Sequence, residues 1–172
     1  LMKLSKDTKL NDNIFEKLNL ISKSVKLDKN ALDYLIDDNR QADVNDLINY
    51  SMIGDYLKAT NILKKCSLSK ISTIFICRRY LFKINQLEKI FLLRKNGATF
   101  DDILKNRLLK IFFKEKQFIK NQVKIWNLNK INHLREKFID IEINCKSKQD
   151  FDYLFLENAL IYIYIQSINT LK

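Results

Sequence analysis

The stretch Ile131-Asn132-His133-Leu134-Arg135-Glu136-Lys137-Phe138-Ile139-Asp140-Ile141-Glu142-Ile143-Asn144-Cys145 decides the fold class. Ile131, Leu134, Phe138, Ile141 and Cys145 step by 3, 4, 3 and 4 residues. That spacing places all five on one stripe of an α-helix and makes a seam for neighbouring helices, where a strand would alternate with period two. Working upstream, Tyr56, Ala59, Leu63 and Cys66 fall three or four apart. A longer helix is predicted over about residues 69–96, carrying Ile71, Ile74, Phe75, Leu81 and Phe82, and another over about 113–125.

The helix ends are also marked. Gly97 follows the long helix where a left-handed cap is commonly glycine, and Gly54 closes a helix predicted over about 42–50. Thr99 with Asp102 three residues on resembles a capping box with Asp in place of Glu, opening a short helix. Asp28 is the expected N-cap of an earlier helix bearing Leu32, Leu35 and Ile36. The polar run Asp37-Asp38-Asn39-Arg40-Gln41 is expected to end it abruptly. Residues 152–170 contain Ile161-Tyr162-Ile163-Tyr164-Ile165, whose period of two fits a strand. Helix is the reading adopted, because a lone strand would leave its hydrogen-bonding ladder unpaired.

Composition agrees. The 172 residues include two glycines and no proline, where average usage would give about twelve and about eight. Glycine-rich phosphate loops, dinucleotide fingerprints and hairpin-rich sandwiches need glycine at positive φ, so they are excluded. Hydrophobic residues make up 47% of the chain, enough for a core. The longest uncharged apolar run, residues 71–77, is far shorter than the roughly 20 residues that span a bilayer, and no signal-peptide pattern is present. No membrane association is expected. Cys66, Cys77 and Cys145 are odd in number and widely spaced, reading as reduced, buried side chains of a cytoplasmic protein.

Residues that carry chemistry are few. His133 is the single histidine, with no cysteine or second histidine near it, and reads as a surface or packing residue. Asp37-Asp38 and Asp101-Asp102 read as carboxylates serving helix ends. Arg78-Arg79 has two readings, a phosphate contact or an ion-paired Arg couple. The net charge is +11, with 31 Lys and Arg against 20 Asp and Glu. Such a surplus attracts phosphate without regard to base sequence, although only six of the basic residues are Arg and the Lys, Ile and Asn excess is what an AT-rich genome writes at permissive surface positions. From the residues alone the chain is a basic helical interaction module with no evident catalytic or metal site.

Four segments carry a family resemblance: Ile111-Phe112-Phe113-Lys114-Glu115-Lys116, then Gln122-Val123-Lys124-Ile125-Trp126, then Cys145-Lys146, then Leu156-Glu157-Asn158-Ala159-Leu160. In this order and spacing they resemble the C-terminal domain of the delta subunits of bacterial DNA polymerase III, clamp-loader subunits that open the sliding clamp, most closely the alphaproteobacterial type. Leu47-Ile48-Asn49 and Ile53-Gly54-Asp55-Tyr56-Leu57-Lys58-Ala59 resemble the opening of the same domain. The resemblance covers about residues 42–165. Leu4-Ser5-Lys6-Asp7-Thr8-Lys9-Leu10 is similar to the end of the family's ATPase-like domain, and residues 22–41 to its small helical lid. The family carries further residues between Leu10 and Asn11 and between Gln41 and Ala42. The resemblance therefore implies missing or shortened segments at both junctions, including the region that contacts the clamp.

The resemblance implies an all-α chain: residues 1–41 as a remnant of the ATPase-like and lid region of an AAA+-like module, and residues 42–172 as a helical collar of about six to seven helices. It implies a subunit without catalytic site or cofactor of its own, in a nucleotidyltransferase holoenzyme whose ATP is bound by partner subunits. The partners implied are the gamma/tau and delta prime subunits, the sliding clamp through a region absent here, and primer–template DNA. Phe151 falls where the family can stack an aromatic on a template base, with Lys146 and Lys148 drawing in phosphate; its alternative role is to anchor the last helix in the core. Tyr162 and Ile165 are the candidate partner-interface residues, with the monomer core as their alternative. The competing functional reading is a free-standing basic helical nucleic-acid-binding protein.

Overall fold

The computed structural model describes residues 29–147 and 152–169, with side chains from Arg40 onward. Among the described residues there are seven α-helices, two short 3-10 turns and no strand. The helices are α1 (Lys29–Met52), α2 (Tyr56–Leu68), α3 (Thr73–Lys95), α4 (Phe100–Lys105), α5 (Lys116–Ile125), α6 (Leu128–Ser147) and α7 (Asp152–Ile168). The all-α expectation is met, including the helix over Ile161-Tyr162-Ile163-Tyr164-Ile165.

The predicted seam of α6 is the centre of the bundle: Ile131, Leu134, Phe138, Ile141 and Cys145 are all buried. It packs antiparallel against α3. The Tyr80 and Phe138 rings stack at 4.2 Å, Arg78 meets Glu142 at 3.2 Å near one end, and Arg135 reaches Glu88 at 2.6 Å near the other. The buried Tyr80 hydroxyl and Ser51 Oγ share a hydrogen bond of 2.7 Å, which ties this pair to α1 and meets a polar requirement that the core would otherwise leave open. Tyr80 also holds its phenol well above the usual range because burial disfavours the charged form.

Around that pair, α1 and α2 form an antiparallel hairpin fastened by Lys65 to Asp43 at 3.1 Å. Helix α5 closes the far side of α1, where the Trp126 indole donates to the Met52 carbonyl at 2.7 Å and Phe118 meets Tyr50 edge-on. Helix α7 lies antiparallel on α6. Lys130 donates to the Gln166 carbonyl and Cys145 Sγ to the Asp152 carbonyl, while the Tyr153 hydroxyl and Thr73 Oγ1 bind α7's first turn to the start of α3.

One element departs from expectation. The polar run 37–41 does not stop a helix, and no new helix starts at Ala42: α1 is continuous from Lys29 to Met52. Asp37 and Asp38 therefore lie inside a helix and not at its end. The physical reason is the absence of a true breaker. Asp and Asn cost well under about 1 kcal/mol each in a helix interior, less than nucleating a second helix would. The buried Val44, Leu47, Ile48 and Met52 hold the downstream turns in place. The helix thus runs through the junction at Gln41 and Ala42. Asp28, Lys148 and Phe151, and the segments matched before residue 29, lie outside the described residues.

Three helices end with the same pair of backbone bonds. At each, the residue after a left-handed position (Gly54, Lys70 or Gly97, with φ of 83°, 52° and 86°) donates its N–H to the carbonyl five residues back, and the left-handed residue donates to the one three back. The lysine version carries no glycine to announce it. The two glycines differ in surroundings: a Cβ on Gly54 would sit 2.6 Å from Ser167 Oγ, whereas one on Gly97 meets nothing within 4 Å. Gly97→Ala is expected to cost about 1–2 kcal/mol, the strain of a left-handed alanine. Gly54→Ala should cost more, because Ser167 is buried and its hydroxyl is held by the Tyr164 carbonyl. Chemical denaturation of both variants checks the order; equal losses would contradict it.

Candidate functional site: the outer faces of α6 and α7

Helix α7 is apolar on two faces. One buries Leu156, Ala159, Leu160 and Ile163 against the bundle. The other leaves Leu154, Ile161, Ile165 and Ile168 in solvent, at steps of 7, 4 and 3 that put them on one side of the helix. A helix that is apolar all round belongs in an interior, so the second face is uncovered core-like surface. Tyr164 extends it, its ring tilted on Tyr56 at 5.3 Å. On α6, Ile139 and Ile143 are exposed too, but on the side of that helix opposite Lys130 and Lys137, which meet α7.

The two interface candidates separate. Ile165 is 45% exposed on that outer face. Tyr162 is half-buried and packs on the core, its ring covered by the Lys137 ammonium at 4.8 Å. The alternating sequence at 161–165 hid the fuller stripe, which a 3.6-residue count from Leu154 through Ile168 brings out.

Of the basic candidates, Lys146 is described and exposed. Its ammonium lies 2.9 Å from Glu142, which also meets Arg78. Hydrogen bonding from Lys146 holds the Glu142 carboxyl below its usual range. Arg78 is thus ion-paired, whereas Arg79 bonds the Asn45 amide oxygen at 2.6 Å. His133 is exposed beside Glu136, 3.6 Å away. Thr99 and Asp102 form the full capping box.

The three cysteines are free and buried. Burial pushes the Cys66 thiol up to about 12 and raises Cys77 and Cys145 as well, so none is a ready nucleophile near neutral pH. Among the described residues no group of three His, Cys, Asp or Glu side chains is placed to hold a metal. No described helix is long and apolar enough to cross a membrane. Searches against protein-family models, curated proteins and solved structures found no match.

Proposed function

We propose that this chain is a non-catalytic subunit of the bacterial clamp loader, helping to load the sliding clamp onto primed DNA in the cytoplasm. Its helical bundle acts as an oligomerisation collar that packs against the gamma/tau and delta prime subunits, which bind the ATP. The supporting observation is the uncovered apolar face of α7. Exposed apolar surface along one helix face marks a partner site, and the resemblance of the sequence segments to delta subunits is what suggests these partners.

Charging the centre of that face gives the test. Ile165→Asp should abolish co-purification with the partner ATPase and the second non-catalytic subunit while leaving the isolated chain folded by circular dichroism. Retained assembly in that variant, or failure of the unaltered chain to join any such complex, rejects the collar. Phe151 is proposed to stack on a template base, and Phe151→Ala should then weaken primer–template binding by the assembled loader; unchanged binding and loading would reject that role.

A second reading, nucleic-acid binding by the free chain, draws on one segment. Lys105, Arg107, Lys110, Lys114, Lys116 and Lys120 flank the exposed Phe112 and Phe113 in sequence, with the Lys116 ammonium 5.6 Å from the Phe113 ring centre, and cations with π-faces are the combination that holds single strands. It requires oligonucleotide binding by the isolated chain, with an affinity that falls steeply with salt.

A further inference from the structure

A cleft of about 330 Å³ opens between α1, α3 and the segment around residues 110–115. Its floor is built from one face of α3: Arg79, Lys83 and Gln86 stand at i, i+4 and i+7, so they follow one another along the helix. Across from them α1 presents Asn45 and Asn49, and the rings of Phe82 and Phe112 form part of the wall.

Three polar atoms in this cleft are buried with no partner. Lys83 is 5% exposed and its Nζ has no hydrogen bond. Arg79 Nε is likewise unpartnered, although its Nη2 donates to Asn45. Gln86 donates from Nε2 to the Leu109 carbonyl at 2.7 Å, which fixes the amide orientation and leaves Oε1 as an unsatisfied acceptor. Buried polar groups are nearly always paired, and an unpaired charge is the costliest exception. Surplus lysines on a chain of net charge +11 could all have stayed in solvent; this one lies inside.

The unmet groups define a ligand. Two cationic donors side by side ask for an oxyanion, and a phosphate group has enough acceptor oxygens to take both. The unmet Gln86 oxygen asks for a donor on the same molecule, such as a hydroxyl. The lining carries three basic groups, Arg79, Lys83 and Lys110, against the single carboxylate of Glu115, so the charge balance favours an anion. The Phe82 ring carries the Arg79 guanidinium over it at 5.3 Å, which leaves the exposed Phe112 ring of the lining as the aromatic surface for a planar group.

We propose that this cleft binds a phosphate group carried by a hydroxylated, planar small molecule of the nucleoside monophosphate class, with Lys83 and Arg79 holding the phosphate and Gln86 accepting from a hydroxyl. Burial holds the Lys83 ammonium down to about 8, and a bound phosphate would add negative charge to the single Glu115 carboxylate that the cleft provides. The site shares no residue with α7 and stands whether or not the chain is a collar subunit.

The test uses the full 172-residue chain in phosphate-free buffer. Inorganic phosphate and adenosine 5′-monophosphate are titrated by calorimetry and by ³¹P chemical shift. Saturable binding of both is expected, tighter for the nucleotide. Lys83→Met and Arg79→Gln should each weaken it at least ten-fold, while Lys95→Gln, the same charge loss on an exposed lysine of the same helix, should change it less than two-fold. A ten-residue oligothymidylate that displaces the nucleotide, and does not bind Lys83→Met, would identify a nucleic-acid strand as the source of the phosphate. Absence of saturable binding by either probe, or an equal loss in Lys95→Gln, overturns the site.

Discussion

Phe138→Ala is expected to lower the unfolding free energy by about 3–5 kcal/mol, the range for removing a fully buried aromatic ring. Phe138 is wholly inaccessible and stacks on Tyr80 at 4.2 Å, so truncation removes apolar burial and one half of an aromatic pair. The cavity also borders the shared hydroxyl bond between Tyr80 and Ser51, which limits collapse of the site. Urea unfolding should show the midpoint falling by about 1 M or more with little change in slope. Phe113→Ala is the contrast. Its ring is 84% exposed, and the loss there should stay within about 0.5 kcal/mol. Comparable losses at the two positions would mean that the α3–α6 seam is not the centre of the core.

The second large effect has the opposite sign. In phosphate-free buffer at pH 7, Lys83→Met is expected to stabilise the chain by about 3 kcal/mol. The native ammonium titrates at about 8, chiefly because burial penalises its charge, against an ordinary 10.5, and each unit of difference is worth about 1.4 kcal/mol. The Glu115 carboxylate supports that charge, while the Arg79 guanidinium opposes it; Lys110 also lines the cleft. Between about 8 and 10.5 the unfolded chain holds the proton that the native chain has released, so native stability rises with pH across that window. The advantage of Lys83→Met should therefore be full below about 8 and gone above 10.5.

Cys66 pulls the other way. Its thiol is raised from 9.0 to about 12, so its contribution is complete below 9.0 and is lost as pH climbs to about 12. Parallel denaturation of both proteins cancels that shared decline. A difference between them that does not change with pH would show that Lys83 titrates in the native chain as it does in the unfolded one.

The two expectations meet at the cleft. An unpaired buried ammonium lowers the stability of the empty chain, and binding to the native state alone returns stability by mass action. Added nucleotide should accordingly raise the stability of the unaltered chain and leave Lys83→Met unmoved.

Much of the architecture was legible because helices are local objects. The 3-4 spacing of Ile131, Leu134, Phe138, Ile141 and Cys145 states which face is buried without naming what buries it, and all five are in the core. Thr99 with Asp102, and Gly97 at positive φ, are also decided within a few residues of chain. The continuity of α1 was less legible, because Asp and Asn weaken a helix without breaking it and packing downstream of Ala42 decides the outcome. Lys70 illustrates the same limit: its left-handed geometry follows from the bonds to Ser67 and Cys66 and not from its residue type.

By itself, then, the order of residues determined an all-helical chain, its main seam, two of its glycine or capping-box ends and its basic charge, because periodicity, caps and charge depend on near neighbours. Only tertiary structure decided which apolar residues of α7 remain uncovered. Burial is a relation between helices, and Ile163 and Ile165 differ in that alone. Only tertiary structure, likewise, turned Lys83 from one of many lysines into an unpaired cation inside a cleft. Its neighbours there come from α1, α3 and the 110–115 segment, which meet only when the bundle closes.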